Sequence, residues 1–374
     1  MPPLAQRNLF HDKVRLTVTL TGIVFAVVLI VVELGLFFGF TVTTSNLIDH
    51  AGADLWVTSP RVPYVEMGVP FSERKLNQIR AVPGVGDAEK LVAQWTQWKL
   101  HNGSQESVQI IGANPDSQLG RPWNLVEGRA EDLKDPDAVI LDEIYKKKLG
   151  VTGVGEVFEV RGHRARVVGF TRGIRSFTTS PYVFSTFKHG QDFAGMKEGQ
   201  TTYILVKAAP GADLEQVRRG ILAQVKNVDV YTTAEFSRMT RFYWMFTTGA
   251  GVAVLTAAVL GLVVGFVVVA QTIYATTMDH IREFGTLKAI GAPNSYVYKV
   301  IMKQAGISAV IGYVLGMIGS FFVVQASQKG GAAILMPMPM AAGMFFLTLA
   351  MCVGAALVSI NKVMHIDPAM VFKG

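Results

Sequence analysis

Four apolar runs, a long polar stretch between the first two and a charged interruption between the second and third predict the fold class. It is an α-helical membrane protein with four transmembrane helices plus a large extracytoplasmic mixed α/β domain inserted between helices 1 and 2. Half of the 374 residues are hydrophobic and 17% are charged, so spans are the first question the composition raises. Leu16–Phe40, Trp244–Ile273, Val297–Gln325 and Met340–Ile360 each reach the ~20 residues that cross ~30 Å of hydrocarbon as a helix. Glu33 is the only acid in these runs. Buried core helices are apolar too, but four of this length in one chain point to a bilayer.

The N-terminal segment 1–15 carries Arg7, Lys13 and Arg15 against Asp12, so the positive-inside rule places it in the cytoplasm. The run at 16–40 is longer than the ~7–15 apolar residues of a signal peptide. It ends in FFGFTVTTSNL, with no small-x-small cleavage site, and reads as span 1. With further spans at 242–273, 297–325 and 340–360, residues 41–241 and the loop 326–339 lie outside. The loop 274–296 and the tail 361–374 are then cytoplasmic, in agreement with the charges at 279–303 and with Lys362 and Lys373.

The net charge of +7 follows the same division. Residues 41–241 carry 25 Lys and Arg against 23 Asp and Glu, which leaves +5 on the spans and their cytoplasmic flanks. No basic stripe with interleaved aromatics appears, so the charge argues for topology and against a nucleic-acid partner. Cys352 is alone and lies in span 4, so the outer domain holds together without disulfides.

Within 41–241, ADLWVTS (53–59) reads as a strand and SERKLNQIRAV (72–82) as a Ser-capped helix with Leu76, Ile79 and Val82 on one side, stopped by Pro83-Gly84. QWTQWKLHNG follows as a strand. The rhythm returns in TYILVKA (202–208), the amphipathic DLEQVRRGILAQVKN (213–227) and VDVYTTA (228–234). Two strand-helix-strand units so far apart suggest one split α/β subdomain with an inserted β-rich unit. That unit contains EVFEVRGHRARVVGF (156–170), a hairpin turning at Gly162, and LDEIYKKKLG (141–150), a helix whose lysines form a solvated face.

Catalytic signatures are missing. No Lys is followed by Ser or Thr, which excludes the P-loop, and HExxH, GxSxG and CxxC do not occur. His101 and His163 stand alone, as turn or surface residues do. MPMPM (336–340) offers soft thioethers, but beside span 4 methionine is ordinary apolar filler. The chain reads as a non-enzyme that holds no cofactor and no metal.

The stretch TMDHIREFGTLKAIGAPNSYVYKVI (277–301) interrupts two of the most apolar runs. A helix from about Tyr274 to Ile290 puts Ala275, Met278, Ile281, Gly285 and Ala289 on one stripe, with Phe284 and Leu287 off it among Arg282, Glu283 and Lys288. Gly291-Ala292-Pro293 then ends the helix. A positive-inside connector lying in the headgroups is the plain alternative, but large apolar residues off the stripe suit a cytoplasmic protein partner. In the spans, Gly261-x-x-x-Gly265 and Gly312-x-x-x-Gly316 are expected to let helices approach closely within one subunit. Glu33 must be protonated, paired or in a wet cavity, and is expected at a seam between subunits.

IREFGTLKAIGA (281–292) resembles the R-x-E-[IF]-G-x-L-[KR]-A-[IL]-G-A pattern of ABC-transporter permeases of the FtsX/MacB type. AVILDEIYKKKLG with VGEVFEVRGHRARVVGF, and the terminal HIDPAMVFKG, are similar to further segments of that family, while ELGLFFGF and ADLWVTSP are most similar to DevC-like exporter permeases. The chain departs from the DevC-like pattern at Glu33, where Gln is common.

The resemblance implies a permease that homodimerises in the bacterial cytoplasmic (inner) membrane and pairs with two copies of a separate P-loop ATPase subunit, which alone binds ATP. Arg282, Glu283, Phe284, Gly285, Leu287, Lys288 and Gly291 carry the motif and are the expected ATPase-coupling residues. The implied activity is export of a hydrophobic or amphiphilic compound such as a glycolipid, haem or a drug from among membrane lipids, with or without a periplasmic adaptor. The cost of an acid at its depth in span 1, and not the resemblance, makes Glu33 the candidate substrate contact. The alternative is an FtsX-like signalling protein that activates an extracytoplasmic partner without transport.

Overall fold

The computed structural model describes residues 13–329 and 333–364. Arg7, Asp12, Lys373 and the terminal HIDPAMVFKG lie outside the described residues. The chain forms two compact units, one of them Gly39–Gly251 with Lys329–Ala333 and the other the apolar helices.

Helix α1 (Lys13–Thr43) is unbroken and overruns the expected 16–40 at both ends. A short α2 (Asn46–His50) precedes β1 (Leu55–Thr58), β2 (Phe71–Ser72), α3 (Lys75–Arg80) and the long β3 (Val85–Lys99). Ser72 does not cap α3 as expected. It pairs with Gln200 in a small sheet, and Arg74 precedes the helix without a side-chain cap. Then come β4 (Gln105–Ala113), β5 (Leu125–Glu127), β6 (Ala138–Asp142) and α4 (Lys146–Leu149).

LDEIYKKKLG is therefore not a helix from its start. Leu141 and Asp142 end a strand, Glu143–Tyr145 form a 3-10 turn, and only the lysines and Leu149 are α-helical. All of β6 is buried, and a strand covered on both faces shows no alternation to distinguish it from a buried helix. The lysines are not one solvated face either: Lys146 Nζ lies 3.7 Å from the Phe170 ring centroid, and Lys148 donates to the Thr179 carbonyl at 3.0 Å.

The domain continues through β7 (Val157–Val160), β8 (His163–Thr171), β9 (Tyr182–Thr186), α5 (Phe187–Ala194), β10 (Gln200–Thr201), β11 (Tyr203–Ala208), α6 (Leu214–Gln224), β12 (Asp229–Thr232) and α7 (Thr233–Phe242). The main sheet runs β12-β1-β11-β3-β4-β9-β6-β8-β5, with β7 bridging β3 and β8. β3 joins its two halves, pairing with β11 over its first part and with β4 over its second.

Strand alternation sorts the side chains of the first half. Leu55, Val57, Ile204 and Val206 face α3 and α6, where they pack on Leu76, Ile79, Val217 and Ile221. Trp56, Tyr203 and Leu205 face the other way, with Phe236 of α7. Asp213 caps α6 by accepting from the Glu215 N–H, and a Thr232/Glu235 capping box starts α7. The β7–β8 hairpin turns at Arg161-Gly162, both at positive φ (48° and 83°), as a two-residue type I′ turn requires.

After α7 the chain passes through a π turn (Tyr243–Thr247), breaks at Thr248-Gly249 and resumes as α8 (Ala250–Asp279). The second span thus begins at Ala250 instead of 242. Tyr243 and Trp244 are not span residues, because Tyr243 stacks on Tyr64 at 4.1 Å and Trp244 packs on Phe177 at 4.4 Å inside the inserted domain. α9 (Ile281–Ala289), α10 (Asn294–Lys329) and α11 (Met338–Met364) complete the chain. Among the described residues α1, α8, α10 and α11 are long and apolar enough to cross a membrane.

These helices pack around α1. A Cβ at Gly312 would lie 2.4 Å from Ile23 Cγ2, and one at Gly316 would lie 2.7 Å from Val27 Cβ. Gly265 is equally tight on Ile30. Both glycine pairs therefore bring α8 and α10 onto α1 of the same chain, the close approach that small residues allow where lipid supplies no hydrophobic drive. Thr19 and Thr276 share a 2.8 Å hydrogen bond between α1 and α8, and Tyr313 donates to the Ala341 carbonyl between α10 and α11. Of the MPMPM methionines, Met336 and Met340 pack in this core, while Met338 is exposed and does not.

Candidate coupling loop and buried carboxylates

The loop helix is shorter than the sequence suggests. The chain breaks at His280, between the end of α8 and the start of α9, so Tyr274–Ile290 is two helices and not one. The break resets the helical phase. Ala275 is exposed, whereas Thr277, His280 and Gly285 are buried and Met278 and Leu287 pack against the helical core. Leu287 thus faces the bundle. Arg282 and Glu283 are exposed, and Glu283 Oε1 lies 3.0 Å from His280 Nδ1, tying the start of α9 back to the break.

At its other end, Gly291 takes φ +96° and the Ala292 N–H donates to the Leu287 carbonyl at 3.0 Å. This is the six-to-one bond of a Schellman stop. Pro293 follows, and its carbonyl accepts from Tyr296 as α10 begins. Phe284 and Lys288 belong to α9, but their side chains lie outside the described part of the structure.

Glu33 sits on α1, half-buried, and a Cβ at Gly261 would lie 2.9 Å from its Cγ. Gly261 gives the glutamate stem its room against α8. Among the described residues no hydrogen bond or ion pair reaches its carboxylate. Gly261 precedes the loop helix by 20 residues of chain, most of them in α8, so Glu33 and the loop residues form two separate sites.

A third feature lies in the inserted domain and carries no motif. Glu66 is 4% exposed; its Oε2 accepts from Trp244 Nε1 at 3.1 Å, and its Oε1 has no partner among the described residues. Burial pushes its pKa up to about 7, against the lowering effect of the Trp244 bond and a backbone hydrogen bond. Its neighbours are fixed as well: Tyr203 donates to the Val65 carbonyl at 2.7 Å, and the Val65 N–H donates to Thr240 Oγ1 at 3.3 Å. The signal was a lone acid in YVEMG, which only the tertiary fold brings under Trp244. Hydropathy also joins Phe242 and Phe246 to the second span expected at 242–273, and no sequence motif marks Arg238.

Residues 16–224 match the MacB-like periplasmic core domain, and residues 241–368 match the FtsX-like permease C-terminal domain. The chain belongs to the MacB/FtsX family of ABC-transporter permeases. An ABC-transporter permease of Mycobacterium tuberculosis is 26% identical over 99% of both chains. One from Methanocaldococcus jannaschii is 22% identical over 87% of this chain and 83% of its own, and the Bacillus subtilis permease YtrF is 21% identical over 88% and 86%. Among solved structures, the periplasmic region of MacB from Actinobacillus actinomycetemcomitans is similar at 14% identity, with TM-score 0.40 over 51% of this chain and 94% of that one. The MacB/FtsX assignment makes this chain a membrane-embedded permease and implies an ATPase partner.

Proposed function

We propose that this permease is the membrane subunit of an exporter that extrudes a hydrophobic or amphiphilic compound, of the glycolipid, haem or drug-like kind, driven by ATP hydrolysis on a separate subunit. The observation that carries the reading is α9. It is a short helix cut off by the break at His280 and the Gly291 stop, with Arg282 and Glu283 outward and Gly285 and Leu287 against the bundle. A helix bounded in this way moves as a piece, and its inward side couples that movement to the spans. Two ATPases on a permease homodimer then act by population shift: closure on ATP favours whichever permease state contacts the closed ATPases better. In this reading both termini and α9 are cytoplasmic, the membrane is the bacterial inner membrane and the inserted domain lies outside, with room for a periplasmic adaptor. Glu33 contacts the polar part of the cargo near the seam between subunits.

The test is co-expression with the cognate ATPase, followed by hydrolysis and export assays in proteoliposomes loaded with the co-isolated amphiphile. Arg282→Glu with Glu283→Lys is expected to release the ATPase or to leave hydrolysis running without export; full export by this variant would remove the coupling assignment. In the same preparation Glu33→Gln is expected to lower amphiphile-stimulated hydrolysis while the basal rate and the dimer survive. Unchanged stimulation would take Glu33 out of the site.

A further inference from the structure

Two grooves flank the C-terminal end of α7, and neither belongs to the coupling loop or to Glu33. One, of about 390 Å³, is lined by Pro63, Arg238, Met239, Phe242, Tyr243 and Thr247. The other, of about 440 Å³, is lined by Ala234, Arg238, Arg241, Phe242, Met245 and Phe246. Arg238 and Phe242 line both and so form the ridge between them.

The chemistry of the ridge is one-sided. No acid lines either groove. Glu235, the acid of α7, is taken by Arg218 at 3.1 Å and by its own capping box. Arg241 is held to its own helix through Ser237 Oγ at 2.6 Å. Arg238 is exposed and has no hydrogen bond or ion pair among the described residues. Beside it Phe242 and Phe246 are 60% and 56% exposed, with ring centroids 5.0 Å apart. Water gains nothing from two exposed phenylalanines next to an uncommitted guanidinium, but a membrane interface suits both, since it takes aromatic rings at headgroup level and anions on arginine.

Chain connectivity keeps the ridge close to the start of a span. The apolar helix α8 starts at Ala250, four residues after Phe246 and eight after Phe242. The chain breaks at Thr248-Gly249, so its reach is set by the extended backbone: at no more than ~3.5 Å per residue, Phe246 stands within about 14 Å of the start of α8 and Phe242 within about 28 Å, a reach that takes in the headgroup layer. We infer that Arg238, with the grooves on either side of Phe242, binds the phosphate headgroup of an anionic phospholipid in the leaflet bordering the inserted domain. The guanidinium pairs with the phosphate and the two phenylalanines lie along the upper parts of the acyl chains. The inference needs only that α8 crosses the membrane, so it stands or falls apart from the identity of any exported compound.

The test uses the full chain in nanodiscs that contain a photoactivatable phosphatidylglycerol or the matching phosphatidylcholine, with crosslinked peptides mapped by mass spectrometry. The phosphatidylglycerol probe is expected to label 234–247 about fivefold more than the choline probe, the preference expected of one basic residue near an anionic surface. Unlabelled phosphatidylglycerol should compete and phosphatidylcholine should not. Arg238→Gln should bring labelling down to the choline level and Arg238→Lys should keep it. Equal labelling by both probes, competition by phosphatidylcholine, or labelling indifferent to Arg238→Gln would overturn the assignment.

Discussion

Glycine serves opposite ends in the two halves of this permease. In the inserted domain Gly162 takes φ +83° at a hairpin tip, and a Cβ there would meet nothing within 4 Å. In the membrane half Gly312 lies inside a regular helix, and its Cβ would fall 2.4 Å from Ile23. The first is glycine for its backbone and the second for its missing volume. A chain that is hydrated on one side of its boundary and lipid-bound on the other thus draws on the same residue for conformational freedom in one half and for close packing in the other. The carboxylates divide similarly: Glu66 is enclosed by protein and bonded to Trp244, whereas Glu33 is half-buried beside Gly261.

The two halves carry separate reporters. All five tryptophans, at 56, 95, 98, 123 and 244, lie in the inserted domain, and the lone Cys352 is buried in the helical core. The largest expected effect is at Glu66. Its folded pKa of about 7 lies above the ordinary glutamate value of 4.5, so its contribution is fully present below pH 4.5, declines as pH rises and is lost through about pH 7. The span corresponds to about 3 kcal/mol. Tryptophan-detected denaturation of the wild type should show that loss between pH 4.5 and 7. Glu66→Gln, which keeps an acceptor for Trp244, should flatten it, and an unchanged slope would assign the pH dependence to other groups.

Next comes Gly312→Ala, expected to cost about 2 kcal/mol through overpacking against Ile23. Maleimide labelling of Cys352 should then speed up about thirtyfold if labelling proceeds through opening of the bundle, with the tryptophan-detected transition unmoved. Smallest is Gly162→Ala, where only the backbone suffers, at about 1 kcal/mol. It should shift the tryptophan-detected midpoint and leave Cys352 labelling alone. If either variant moved both reporters, the halves would be energetically coupled and the division of roles would fail.

The halves also differed in how far sequence could be read. The spans were legible because a bilayer demands length and apolarity and little else, and the hairpin at Gly162 because a tight turn needs particular residues. The split α/β unit was legible from its β-rich strands bounded by turn residues and from the amphipathic helix at 213–227, even though Trp56 on one face of β1 and Leu55 and Val57 on the other are all buried. β6 was not, because AVILD is buried on both faces and Asp142 is satisfied by distant partners, the Ile174 N–H at 2.7 Å and Thr171 Oγ1 at 3.1 Å. The π turn was lost to hydropathy, which does not distinguish an aromatic cluster under a domain from lipid-facing residues. In the loop the motif was legible and its phase was not. Nothing in the residue pattern marks the break at His280, which the structure shows beside a 3.0 Å contact to Glu283.

The sheet order has a consequence for how the chain is made. β1 lies between β11 and β12, with Leu55 opposite both Val206 and Thr232. From Leu55 to Thr232 is 177 residues, and at roughly 5–20 residues per second a ribosome needs on the order of 10 to 35 s to deliver them. For most of that time Leu55, Trp56 and Val57 are out of the ribosome with both strand neighbours unmade, β11 arriving before β12, and the nascent chain must keep an apolar segment from pairing elsewhere. The order of synthesis runs against the order of assembly: the first strand translated has no complete seat until the last one appears.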